Sequence, residues 1–240
     1  MYFKIKGFCP ICEKNVVFKS KNEWLRDFFI CSHCGSIPRE RALMQVIKMY
    51  YPQYRSLVIH ESSPCSRGAS VKLNRICLDY TSSHYYQDIP PGITHPKYGY
   101  RCENIENLSF DDDTFDLFIT QDVMEHIFNP EKAFKEIARV LKPGGAHIFT
   151  VPLVNKEKAS ECRASMNKNG RITNHYAPEY HGNPIDKKGS LVTMHWGYDI
   201  ADFIMLAAAT PTTIIMIDNL ELGIRAEYIE VLVSRKKLQQ

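Results

Sequence analysis

The chain has 240 residues, 44% of them hydrophobic and 24% charged, the balance of an ordinary folded protein, which excludes a disordered tail and a fibrous repeat. The net charge of +3 is uneven: residues 1–50 carry nine Lys/Arg against four Asp/Glu, and the remainder carries 21 against 23. The most apolar stretch, residues 203–209, falls well short of the roughly 20 residues of a membrane helix, and no apolar segment follows Met1–Lys6 as a secretion signal requires, so the chain reads as cytoplasmic with no membrane partner.

The first feature along the chain is a pair of cysteine knuckles, Cys9-Pro-Ile-Cys12 and Cys31-Ser-His-Cys34, separated by 18 residues. Two residues between thiolates let one tight turn offer both sulfurs to a tetrahedral ion, and the second knuckle completes the shell. Residues 1–38 therefore read as a zinc ribbon with Cys9, Cys12, Cys31 and Cys34 as ligands of a structural Zn²⁺, every position being filled by thiolate. His33 lies within the second knuckle and reads as solvent-facing. Residues 39–54 read as a connecting helix that begins near Pro38, with Leu43, Val46, Ile47 and Tyr50 at helical spacing. Arg39 and Arg41 read as either facing the active-site cleft or capping the interface between the two parts, with the interface favoured.

Residues 56–60 form a short apolar run typical of a buried strand, and a weaker second strand is expected to end at residues 76–79. The Ser-, Tyr- and Pro-rich stretch 80–100 reads as loop. Residues 115–121 predict a clear strand. Asn129-Pro130 opens a helix carrying Phe134, Ile137 and Leu141 on its buried stripe, and Lys142-Pro-Gly-Gly145 stops it before a strand at 146–151. Residues 154–190 lack periodicity and read as an insertion. A helix at 198–209 and strands at 213–217 and 228–233 close the chain. Alternation of strand and helix implies a parallel sheet with helices on its faces, an α/β fold.

The segment Leu108-Ser-Phe-Asp-Asp-Asp-Thr-Phe-Asp-Leu-Phe-Ile-Thr-Gln-Asp-Val-Met-Glu-His-Ile127, with Arg139-Val-Leu-Lys-Pro-Gly-Gly145, resembles class I S-adenosylmethionine-dependent methyltransferases of type 11. The ribbon followed by Gly35-Ser-Ile-Pro-Arg-Glu-Arg41 is similar to bacterial members with an N-terminal four-cysteine module. The resemblance implies a Rossmann-like seven-stranded sheet over residues 55–240, with the insertion at about 154–190, and S-adenosylmethionine as cofactor. In such sheets the ligand crevice lies at the carboxyl ends of the strands.

Carried over position by position, the resemblance implies cofactor contacts from His60, Glu61, Ser62, Ser63 and Gly68, from Asp79 toward the ribose, from Asn104 or its neighbour Glu103 toward the adenine, and from Gln121 and Asp122 toward the methionine end. The chain departs from the family at Glu61-Ser-Ser-Pro-Cys-Ser-Arg-Gly68, where a glycine-rich turn is usual. Tyr180, His181 and Asn183 in the insertion form the expected substrate-side cluster. His181, Asp122 and His126 are alternative general bases.

Three functions compete. The first is O- or N-methylation of a small molecule or glycan precursor. The second is rRNA base methylation, with the ribbon lysines on the RNA; nucleic acid is the less favoured partner because aromatic and basic residues interleave sparsely there. The third is a zinc-ribbon interaction protein whose methyltransferase fold no longer catalyses. Oligomeric state is not legible.

Overall fold

The computed structural model describes residues 2–183 and 188–238. The chain opens with an antiparallel sheet of β1 (Phe3–Cys9), β2 (Lys14–Ser20) and β3 (Ile30–Cys31). Lys4 and Lys6 alternate to solvent while Phe3 and Ile5 turn inward. A helical turn at Leu25–Phe28 precedes β3. Helix α1 (Pro38–Tyr50) has proline in its first turn, and the Glu40 carboxylate accepts from the Ile37 amide at 3.1 Å. Leu43, Met44, Val46 and Ile47 are buried in a cluster that holds Phe18, Phe29 and Cys31 of the small sheet's side and Ile59, Leu117, Ile148 and Val231 of the large sheet. The two sheets thus share one apolar core through α1.

The large sheet contains β4 (Val58–Ser62), β5 (Asp79–His84), β6 (Arg101–Cys102), β7 (Phe115–Gln121), β8 (Leu141–Thr150), β9 (Thr212–Ile215) and β10 (Val231–Arg235), in the spatial order β9-β10-β8-β7-β4-β5-β6. Pairings from β6 to β8 are parallel, and β10 runs antiparallel to both its neighbours. Helix α2 (Gly68–Ile76) joins β4 to β5, α3 (Pro130–Val140) joins β7 to β8, and α4 (Ile200–Ala208) precedes β9. Asn129 caps α3 by accepting from the Lys132 amide at 3.0 Å. Among the described residues no helix is long and apolar enough to cross a membrane.

The structure corrects the second strand. Residues 68–76 are helical, burying Ala69 and Leu73 four apart, and the strand begins at Asp79 where a strand end was expected. Its Thr and Ser residues read as loop because they are polar. They are strand residues whose hydroxyls serve a buried partner: Thr81 Oγ1 and Ser83 Oγ each lie 2.9 Å from a ring nitrogen of His60. Strand β8 also starts earlier than expected, at Leu141, directly from the end of α3. The insertion and the residues just after it form short strand pairs: Glu161–Cys162 with Met194–His195, Ala164–Met166 with Ile172–Asn174, and Tyr180–His181 with Ser190–Leu191.

Candidate active site

Strand order reverses between β4 and β7, so the crevice expected of a doubly wound sheet opens at the carboxyl ends of β4, β5 and β7. Ser62 ends β4, and Ser63 follows with φ of 56°, a left-handed turn made without glycine, its amide donating to the Ser83 carbonyl at 2.8 Å. Below this turn Glu61 is fully buried. Its carboxylate accepts from Ser70 Oγ (2.6 Å), Tyr80 OH (2.7 Å) and Gln121 Nε2 (2.8 Å). Burial pushes its carboxyl above the usual range, and those three donors pull against that. Two buried polar atoms at this edge lack protein partners, Gln121 Oε1 and His84 Nδ1.

Asp122, just past β7, also has positive φ, 52°. Its carboxylate accepts from Thr150 Oγ1 at 3.0 Å and from Arg26 Nη2 at 2.7 Å, and lies 3.1 Å from Arg39 Nε. Burial pushes the Asp122 carboxyl up, but Arg39 and Arg26 outweigh burial and hold it well below the ordinary carboxylate range. The small N-terminal sheet and α1 thereby supply two guanidinium groups to the floor of the crevice. Asp122→Asn is expected to leave both without a counter-charge and to destabilise the fold by about 3 kcal/mol. Urea denaturation at pH 7 measures this, and a loss below about 1 kcal/mol, the value of an exposed pair, contradicts it.

A second polar cluster lies beside the crevice. The turn Met124–His126 leaves β7 and is clamped by the segment that follows the insertion: Thr193 Oγ1 donates to the carbonyl of Ile127 at 2.7 Å, the Thr193 amide to that of Glu125 at 2.8 Å, and Trp196 Nε1 to that of Met124 at 3.2 Å. Glu125 is only 2% exposed. His126 Nε2 stands 3.7 Å and His181 Nδ1 3.6 Å from Glu125 Oε1, and the two rings meet edge to face at 5.2 Å. Behind His181, Glu179 faces His181 Nε2 at 3.3 Å and His195 Nε2 at 2.9 Å. Glu125 raises the proton affinity of His181 above that of an ordinary imidazole against the effect of partial burial, and Glu179 adds to it.

The four knuckle cysteines also converge. Sγ atoms of Cys9 and Cys34 lie 3.7 Å apart and those of Cys12 and Cys31 3.9 Å apart, and all four gather within 4.8 Å of one another. A tetrahedral ion about 2.3 Å from each sulfur requires edges near 3.8 Å. His33 stays outside, at 2.9 Å from Lys14 Nζ.

Residues 75–149 match the methyltransferase domain family. The structure superposes on a SAM-dependent methyltransferase of Mesorhizobium loti with a TM-score of 0.51 at 14% identity, over 82% of this chain and 98% of that one. The family match covers under a third of the chain, and the superposition is a likeness of fold. Among curated proteins, a ubiquinone biosynthesis O-methyltransferase of Coxiella burnetii is 35% identical over 51 residues, 21% of this chain and 22% of that protein. An uncharacterised protein of Methanocaldococcus jannaschii is 48% identical over 56 residues, 23% of this chain and 24% of its own. The matches therefore span less than a quarter of those relatives.

The expected site residues divide. Ser62, Ser63 and Gln121 stand at the crevice. Gly68 opens α2 with φ of 64°, and a Cβ there would come within 2.2 Å of the buried Glu40 carboxylate, which also holds Arg67 at 2.8 Å. His60 is removed from the cofactor set: both ring nitrogens are engaged by Thr81 and Ser83, and the ring packs among Phe110, Phe115 and Phe118. Glu61 supports the loop from below, with both oxygens bonded to protein groups.

Asp79 is exposed at the amino end of β5, the end away from the crevice, because the strand begins there; His84 holds the carboxyl end. Asn104 Oδ1 accepts from the Glu106 amide at 2.9 Å, closing a turn, and the Glu103 carboxylate is taken by Arg101 Nε at 2.6 Å and by the amide of Ser109 at 2.9 Å. Asp122, paired with two arginines, is corrected from free base to anchor. His126 and His181 are brought together. Tyr180 is 58% exposed, and Asn183 Nδ2 donates to Ser190 Oγ at 2.8 Å. Pro184, next in that segment, lies outside the described residues.

Arg41 holds the interface as expected, donating to the carbonyls of Phe29 and Gly223, both at 2.7 Å, whereas Arg39 reaches the crevice instead. Sequence reasoning did not assign Arg26, His84 or Glu179 to the site, and it passed over His195 in favour of His181. The one available signal was Glu179, two residues before His181 and on the same side of an extended segment.

Proposed function

We propose that the chain is an S-adenosylmethionine-dependent methyltransferase acting on a hydroxyl or amine of a small molecule or glycan precursor, with a structural Zn²⁺ in its four-cysteine cluster. The observation that carries the reading is the reversed β10 beside β8 in a sheet whose switch point opens a polar crevice. The unpartnered Gln121 Oε1 and His84 Nδ1 fit it, since buried polar atoms at a ligand edge are satisfied when the ligand arrives. Ser62, Ser63, His84 and Gln121 would hold the cofactor. When bound, it supplies an electrophilic methyl carbon on a sulfonium, whose sulfur departs neutral.

The chain's own contribution is alignment and proton removal. Arg26 and Arg39 fix Asp122 and thereby the turn that leaves β7. His181, held between Glu125 and Glu179, is placed to take the proton that the acceptor loses as its oxygen or nitrogen bonds to the methyl carbon. The similarity over 51 residues to an O-methyltransferase supports a hydroxyl acceptor. A nucleic-acid acceptor is the second reading, because Lys4 and Lys19 stand directly opposite each other on the small sheet's exposed face, with Lys6 and Phe8 beside them. An RNA affinity that falls steeply with salt would favour it.

Calorimetric titration of the zinc-loaded protein with S-adenosylhomocysteine tests the reading. Binding at about micromolar Kd, near −8 kcal/mol, is expected. No heat of binding up to about 1 mM ligand in folded protein overturns it in favour of a non-catalytic interaction protein.

A further inference from the structure

We propose that Glu125, His126 and His181 form a second metal site, for a divalent cation with nitrogen and oxygen preference, distinct from the four-cysteine cluster. Their ligand atoms lie within 4.8 Å of one another. The separations of 3.6 and 3.7 Å from Glu125 Oε1 approach the roughly 3.4 Å between donors set tetrahedrally about a cation at 2.1 Å.

The hydrogen bonds behind the ligands point the same way. His126 Nδ1 lies 2.9 Å from the Leu191 carbonyl, which can only accept, so that nitrogen carries the proton and the lone pair rests on Nε2, facing Glu125. His181 Nε2 faces the Glu179 carboxylate, which leaves the lone pair of the neutral ring on Nδ1, again facing Glu125. Metal-binding histidines are oriented in this manner by a carbonyl or carboxylate behind them. Both oxygens of the 98% buried Glu125 lack a hydrogen-bond partner. Two nitrogen lone pairs aimed at a buried carboxylate repel one another, and a shared cation converts that repulsion into three bonds.

Three protein ligands leave coordination positions open. Because the turn holding two of them starts two residues beyond Asp122, those positions open beside the crevice. They suit an acceptor oxygen, whose proton a cation makes easier to remove; with the cation bound, His181 holds the ion instead of serving as the base, and that proton leaves to water. That last assignment rests on the methyltransferase reading; the cation site itself does not.

Mn²⁺ is the probe, since it disfavours the four-thiolate cluster. Zinc-loaded protein is titrated with Mn²⁺ and the electron paramagnetic resonance signal of the free ion recorded, for the parent, Glu125→Gln and His181→Ala. His181 is half-exposed, so its variant keeps the fold even if the buried Glu125→Gln does not. One Mn²⁺ per chain is expected, weakened at least about tenfold in His181→Ala. No Mn²⁺ bound up to about 1 mM overturns the proposal, as does an unchanged affinity in His181→Ala. Titration of the same samples with S-adenosylhomocysteine separates the two readings. Mn²⁺ bound without the homocysteine ligand leaves the cation site standing and removes the methyltransferase reading, and the converse removes the site alone.

Discussion

With the proposed Zn²⁺ in the four-cysteine cluster, stripping it with a chelator is expected to unfold the small sheet and to lower the melting temperature of the whole chain by more than about 10 °C. Structural zinc contributes about 10–16 kcal/mol of apparent binding free energy in small modules, where it is inseparable from folding. Here the loss spreads, because Cys9 and Cys31 are buried in the same apolar cluster as Leu43, Ile47, Ile59 and Leu117. Polar links spread it further. Arg41 ties the carbonyls of Phe29 and Gly223 together, and Arg26 reaches both Asp122 and the Tyr228 carbonyl, the latter at 3.0 Å. Metal loss should therefore also weaken S-adenosylhomocysteine binding, although no cysteine ligand stands at the crevice. Thermal unfolding by circular dichroism, with metal content measured on the same sample, checks the first part. An unchanged transition in protein shown to be zinc-free would show that sulfur and serine hydrogen bonds alone, such as Cys34 with Ser36 Oγ at 3.2 Å, close the knuckles.

Local signals carried most of the fold, and they failed where polarity was mistaken for exposure. Helix α1 begins where Pro38 places it and ends at Tyr50, the last residue of the apolar spacing and short of the expected residue 54, and β7 coincides with its apolar run. The run Asp79–His84 misled because its Thr and Ser side chains are ordinary loop residues until His60, twenty residues earlier in sequence, is seen between them. A pairing of that kind is a property of two adjacent strands and leaves no mark on either one. The site was legible to the same degree. Two CxxC pairs state their own geometry, and Glu125-His126 sits in a motif that resemblance could place. The pairing of Arg26 and Arg39 with Asp122 could not be read, although Arg39 at the cleft was one of two alternatives, since Asp122 is 96 residues from the first and 83 from the second, and a surface arginine has the same local sequence as a buried one. His181 was reached through its residue type and its place in the insertion. What gives it a role, the approach to His126 and Glu125, comes from the insertion folding back over the turn after β7.

Acid is expected to act through histidines that the chemistry does not use. His60, buried chiefly away from water and secondarily near Arg101, has its proton affinity lowered to about 3, and His147, stacked on Phe149 at 4.1 Å and buried, is likewise lowered to about 3. Unfolded, each titrates near 6.5. Between those values the unfolded chain takes up protons that the native chain refuses, so stability falls as pH falls. At pH 5 each histidine is about 1.5 units below its unfolded value, a loss of about 2 kcal/mol apiece and about 4 kcal/mol together. His84, lowered to about 4 by burial, acts in the same direction. His181 opposes them: its raised affinity contributes stability that is fully present below about pH 6.5 and lost as pH rises through its folded value. Asp122, depressed in the fold, begins to matter only below about pH 4, where the unfolded carboxylate protonates. The steep region should therefore lie between about pH 6.5 and 4, above the carboxylate range. Urea denaturation at pH 7, 6 and 5 measures it, and His147→Gln, which removes one of the two titrations, should lose about 2 kcal/mol less than the parent over that interval. Equal losses in parent and variant would mean that His147 gains a proton inside the fold, and the acid sensitivity would then belong to the thiolate cluster.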